Sequence, residues 1–144
     1  MKFVTCPAYE VKMWIGSVRG YNGRKFLLKT LLKKIGQFQE KQEKSYSLRV
    51  TPTTFIFKDY QENGWEIACT NYPRFPAKPE EIDDFMMRLT QFLLVEFKQN
   101  RITISDPLNA VTLEADGAED GPKTKRKGTI EKSDDEISQY FKLR

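Results

Sequence analysis

Apolar and polar residues alternate from the tenth position of the chain. In EVKMWIGSVR (10–19), Val11, Met13, Ile15 and Val18 stand among polar neighbours, a period of two that predicts a strand with one face buried. Asn22-Gly23 then interrupts the chain. Asn22 is suited to cap a helix, because Leu27, Leu28, Leu31, Leu32, Ile35 and Phe38 follow at helical spacing. The opposite face of that helix carries Arg24, Lys25, Lys29, Lys33 and Lys34.

A second strand is expected from about Tyr46 through SLRVTPTTFIFKDY. Pro52 restricts it to an edge or breaks it, since proline donates no ladder hydrogen bond. QENG (61–64) reads as the turn into a third strand, WEIACTNY. PRFPAKP holds three prolines in seven residues, which excludes helix and inner strand. Pro79 suits a helical first turn, and Glu80, Glu81, Asp83 and Asp84 complement its positive end. Ile82, Phe85, Met86, Leu89, Phe92, Leu93 and Phe97 continue the stripe toward Asn100. RITISD then gives a fourth strand, and AVTLEA a short fifth after the turn at Pro107.

The order β-α-β-β-α-β predicts an α+β fold, an antiparallel sheet of four to six strands with two helices. A ferredoxin-like arrangement is one way to wire it. Residues 1–113 form the expected ligand-binding domain. Residues 114–144 form a charged, flexible linker and a short terminal helix, for which Ser133 and Glu136 match a capping box. Ile137, Tyr140 and Phe141 would share one face of that helix, suited to dock on the domain, a second subunit or another protein.

Composition narrows the chemistry. At 144 residues with 39% apolar and 31% charged positions, the chain fits one soluble domain. No apolar run reaches membrane-spanning length and the start lacks a signal-peptide layout, so a cytoplasmic protein is expected. Cys6 and Cys69 are in no metal-ligand spacing, and no cofactor or metal is expected. There is no histidine, which removes the usual general base and the commonest zinc ligand. With no phosphate-loop or nucleophile motif either, the expectation is a binding protein with no catalytic residues and no enzymatic activity. A net charge of +4 suits an anionic partner.

Two kinds of surface carry candidate binding chemistry, each beside a structural alternative. The basic face of the first helix and KTKRK (123–127) suit phosphates, or are simply solvated. Phe55, Phe57, Tyr60, Trp65, Tyr72 and Phe75 surround the hairpin and the loop after it, as core residues or as rings that stack on a base. In TNYPRFP (70–76) flanking prolines stiffen the backbone. Asn71 both donates and accepts, and Arg74 presents a planar fork for phosphate. A rigid connection from strand to helix explains the same residues.

VTPTTFIFKDYQENGWEIACTNYPRFP, with the PEEI-led helix and the QNRITI strand, resembles the phage anti-Thoeris sponge family, Tad type 1, over roughly residues 10–113. TPTTFIF and NYPRFP carry most of that resemblance. It implies capture, without cleavage, of cyclic ADP-ribose-type nucleotides made by bacterial TIR-domain proteins. It also implies a homo-oligomer in the cytoplasm of an infected host, and for some members a second site for other cyclic oligonucleotides. The family's asparagine, arginines and rings match Asn71, Arg74, Arg88 and Arg101 here, with Trp65 or Phe75 to stack and Thr53 beside Thr51 to meet polar edges. Cys69 and Thr70 depart from the glycine and aliphatic residue expected there, and the charged tail lies outside the pattern. The rival readings are a small RNA- or DNA-binding module and a histidine-free nucleotide hydrolase.

Overall fold

The computed structural model describes residues 1–20 and 23–118. Its elements are β1 (Glu10–Gly16), α1 (Leu28–Glu40), β2 (Arg49–Phe57), β3 (Tyr60–Thr70), α2 (Pro79–Glu96), β4 (Arg101–Ser105) and β5 (Ala110–Glu114). All neighbouring strands pair antiparallel, in the order β2-β3-β1-β4-β5. The fold is α+β, and its first four strands have the ferredoxin-like order with β5 added at one edge.

Pairing fixes which side chains share a face. Val50, Ile67, Met13, Ile104 and Val111 stand in one row across all five strands, with Pro52, Trp65 and Ile15 in the next. This face meets the helices: α2 packs on β1 and β4 and contacts α1. Phe85, Met86, Leu89, Leu93 and Phe97 are fully buried, as are Met13, Ile15, Ile67, Ile102 and Ile104. Burying each such side chain contributes roughly 1.5–3 kcal/mol, so this single layer is the main source of stability. Thr90, inside the core, donates its hydroxyl to the Met86 carbonyl at 2.7 Å.

Three boundaries differ from the sequence reading. α1 begins at Leu28, not after an Asn22 cap, and its N-cap Leu27 makes no side-chain hydrogen bond. The preceding segment is tied back instead: Phe26 N–H donates to the Ser17 carbonyl at 2.9 Å and Val18 bridges Lys25. QENG is strand, not turn. The hairpin closes at Lys58-Asp59, between the paired Phe57 and Tyr60, with Lys58 at φ 55°. A two-residue turn of this kind matches the twist of the strands, so it prevails over the Asn-Gly signal further on. α2 ends at Glu96, with Phe97 as its C-cap and Lys98 at φ 48°, a little short of Asn100. Asn22 itself, KTKRK and the expected terminal helix lie outside the described residues.

Candidate functional site

Trp65, Arg74, Phe75 and their companions from the sequence occupy several separate places. Asn71 is buried, and its amide is engaged within the chain: Nδ2 donates to the Pro7 carbonyl at 3.0 Å and Oδ1 accepts from Ala77 N–H at 2.9 Å. With its backbone N–H on the Tyr9 carbonyl at 2.8 Å, Asn71 joins the N-terminal segment to the proline loop. Phe75 closes a tight turn on Tyr72 and is largely exposed, with the Arg74 guanidinium 5.7 Å from its ring centroid. Arg88, on α2, pairs with Asp84 at 3.0 Å and donates to the Gln42 side chain. Arg101 pairs with Glu114 at 2.7 Å across β4 and β5. Trp65 packs into the core against Phe26, ring centroids 5.4 Å apart. Thr53 and Trp65, on opposite faces of the sheet, both border a shallow depression of about 550 Å³ with Pro52, Thr54, Asn63 and Gly64. Six residues of strand, roughly 20 Å, separate Trp65 from Asn71, so the set does not converge on one small ligand.

The sheet brings a different set together on the face away from the helices. Strand alternation that buries Val11, Met13 and Ile15 turns Glu10, Lys12, Trp14 and Gly16 the other way. Register then aligns Thr51, Glu66, Trp14, Thr103 and Thr112 in one row, and Arg49, Ala68, Lys12, Ser105 and Ala110 in the next. On the other side of Trp14 come Thr53, Gly64 and Gly16, then Phe55 opposite Glu62.

Two glycines side by side make a dent in this face, and the Glu62 carboxylate and the Phe55 ring fold over and fill it. A Cβ on Gly64 would strike the Ile15 carbonyl and come within 2.8 Å of the Phe55 ring. A Cβ on Gly16 would overlap the Glu62 carboxylate. Glu62 in turn accepts from the Tyr60 hydroxyl at 2.8 Å. Glu66 accepts from Trp14 Nε1–H at 3.1 Å and has Lys12 Nζ 3.8 Å away. The dent is therefore bounded by two carboxylates, an indole and a phenyl ring. That chemistry suits a cation carrying a flat base.

A second polar cluster lies at the far end of the same face. Glu10 accepts from Thr70 Oγ1 at 2.7 Å and from Arg49 at 2.6 Å, with Lys12 at 3.4 Å. The Thr70 hydroxyl first, then the Arg49 guanidinium, hold its carboxyl down at about 2. Lys12 stands between Glu10 and Glu66 and so links this cluster to the dent. Beneath the sheet, burial pushes the Cys69 thiol up to about 11, which makes it an inert core group.

The depression beside Trp65 and the dent over the glycines share Thr53 and Gly64. The dent is the stronger candidate because the carboxylates and Trp14 are there, while the depression is lined by no charged side chain. Sequence reading missed Trp14, Glu62 and Glu66. The signal for Trp14 was present in β1, where an indole occupies a polar-phase position of an alternating strand.

No group of three or more metal-ligating side chains occurs among the described residues, and no helix there is long and apolar enough to cross a membrane. Neither a protein-family model nor a curated relative matches the chain. Two solved structures are similar. A phage SAM lyase in complex with S-methyl-5'-thioadenosine aligns with a TM-score of 0.63 at 13% identity, covering 83% of this chain and 98% of that one. A phage SAM lyase in its apo state aligns with a TM-score of 0.55 at 14% identity, covering 74% and 89%. At such identity the likeness establishes a shared fold, here with phage proteins that handle a small molecule; neither comparison matches the sponge family. The expectation of a protein without enzymatic activity is corrected, because the fold found is one that serves as a lyase. Its premises were the missing histidine and the absent catalytic motifs, and catalysis by other side chains needs neither.

Proposed function

We propose that the chain cleaves S-adenosylmethionine, or a close sulfonium relative, on the open sheet face. The observation that carries this reading is the glycine-floored dent between Trp14, Phe55, Glu62 and Glu66, in a fold shared with a phage SAM lyase. The substrate offers a sulfonium, an ammonium, a carboxylate and an adenosine. Trp14 or Phe55 stacks on the base or sits against the sulfonium, and Glu62 and Glu66 hold the ammonium and ribose hydroxyls. Lys12 is placed to receive the carboxylate.

The reaction balances without water. The bond between sulfur and Cγ of the amino-acid part breaks, its electron pair stays on sulfur, and S-methyl-5'-thioadenosine leaves as a neutral thioether. The substrate's own carboxylate oxygen takes Cγ and closes a five-membered lactone. The nucleophile is already an anion and the leaving group is neutral, so the protein's part is orientation and exclusion of water. Opposite charges annihilate along this path, which a drier site favours. A second copy laid over the open face supplies that dryness, and is the role we assign to the homo-oligomer expected from the sequence.

Capture of a cyclic ADP-ribose-type nucleotide is the comparison arm. Its pyrophosphate would face Glu62 and Glu66 across the same dent, an unfavourable pairing. Incubation of the purified protein with S-adenosylmethionine, followed by mass spectrometry, tests the reading. S-methyl-5'-thioadenosine and a lactone in equal amounts are expected, and Glu66→Gln should slow their release on the order of 100-fold while the fold is kept. Unchanged S-adenosylmethionine beside tight retention of a cyclic ADP-ribose isomer would sink the proposal.

A further inference from the structure

The outer surface of α1 has a composition the core does not explain. Between Arg24 and Gln39 the chain has five basic residues and no acidic one. Lys34 pairs with Glu96, whereas Arg24, Lys25, Lys29 and Lys33 form no ion pair among the described residues. Lys29 and Lys33 lie in the N-terminal half of a helix with no acid in its first turn, and Arg24 and Lys25 just precede it, where the backbone dipole already disfavours positive charge. Leucines accompany them at the surface: Leu27 is 71% exposed, Leu28 38% and Leu32 46%. Leu28 and Leu32 stand one turn apart, with Lys29 and Lys33 one turn apart beside them. Solvated lysines need no such leucines, and a nucleic-acid backbone would leave them facing phosphates. An acidic, amphipathic protein segment satisfies both kinds of residue.

The chain contains one. In Ser133-Asp134-Asp135-Glu136-Ile137-Ser138-Gln139-Tyr140-Phe141, three successive acids precede three apolar residues. At helical spacing Ile137, Tyr140 and Phe141 fall on one stripe with Asp134 and Glu136 on its two flanks, the counterpart of leucines flanked by lysines. Length permits the encounter. Residues 119–132 span up to about 45–50 Å when extended, against a radius of gyration of about 13–14 Å for a domain of this size. We propose that residues 133–141 cover the Leu28–Leu32 surface of α1 in the same copy. The acids then neutralise Lys29 and Lys33, and Tyr140 and Phe141 take the leucines out of water.

Hydrogen exchange on the full-length chain tests this, with Lys29→Glu/Lys33→Glu, Asp134→Lys/Glu136→Lys and the four changes combined. Exchange at 133–141 should be slowed about tenfold or more, return to free-chain rates in either double variant, and slow again when all four are present. Free-chain rates in the unaltered protein overturn the proposal. So does protection indifferent to both reversals, which places the segment elsewhere. Carbodiimide cross-links between Lys29 or Lys33 and Asp134–Glu136 are expected within one copy. In a mixture of isotopically light and heavy protein, links joining light to heavy overturn it in favour of a second subunit.

Discussion

Glu10 illustrates what a single side chain on this sheet does. Its carboxylate gathers Thr70, Arg49 and Lys12 from three strands, and its folded pKa of about 2 lies below the ordinary 4.5. A group whose folded pKa is depressed stabilises the fold above its unfolded value and loses that contribution as pH falls toward the folded one. Glu10→Gln should therefore cost about 1 kcal/mol at neutral pH, a figure reduced for solvent screening at this partly exposed position. The difference from the unaltered protein should shrink between pH 4.5 and about 2, read by denaturant unfolding at several pH values; a gap constant across that window would refute the assignment. At this scale the sequence was partly legible. Asn71 was singled out as a side chain to read a ligand, yet its donor and acceptor are engaged by Pro7 and Ala77, contacts that no one-dimensional pattern displays. Trp65 lies in the core and Trp14 on the open face for a simpler reason. Alternation in β1 puts Trp14 out of phase with Met13 and Ile15, and register puts Trp65 opposite Ile15.

Elements were read more reliably than their ends. Both helical stripes, the alternation of β1 and the compact β4 and β5 followed from periodicity, because a one-sided core imposes that periodicity on every layer. Turns are set by a few backbone angles, so Lys58-Asp59 closing the hairpin in place of QENG was not visible. That turn makes Gly64 an interior strand residue, and a contrast with Gly16 tests the consequence. A methyl group at Gly64 meets the Ile15 backbone, which cannot swing aside, so Gly64→Ala should destabilise by about 1–3 kcal/mol. At Gly16 the obstacle is the end of the Glu62 side chain, which can rotate away, and Gly16→Ala should cost well under half as much. Equal losses in thermal unfolding of the two variants would show that the dent is not built as described.

On the scale of the whole molecule, two helices cover one face of a five-stranded sheet and leave charged and aromatic residues on the other. Fold class and strand content were legible in the chain, whereas the site was not, because residues from β1, β2 and β3 become neighbours only through pairing. The proposed closure of that face by another copy has a measurable outcome. Sedimentation should give a mass that is a multiple of 16.9 kDa. Thr112→Arg, on the same face but two strands from the dent, should reduce it to a single chain. A single chain in the unaltered protein, with lyase activity intact, would contradict the closure.

Pro52 limits how such copies meet. Phe57 and Tyr60 flank a two-residue turn and so form the first hydrogen-bonded pair of the hairpin. Bonded and unbonded pairs alternate from there, which makes Pro52 and Trp65 an unbonded pair and leaves the imino nitrogen pointing outward. A foreign strand laid along that border would find a donor missing at its middle. Growth by strand addition into fibres is thereby discouraged on this side.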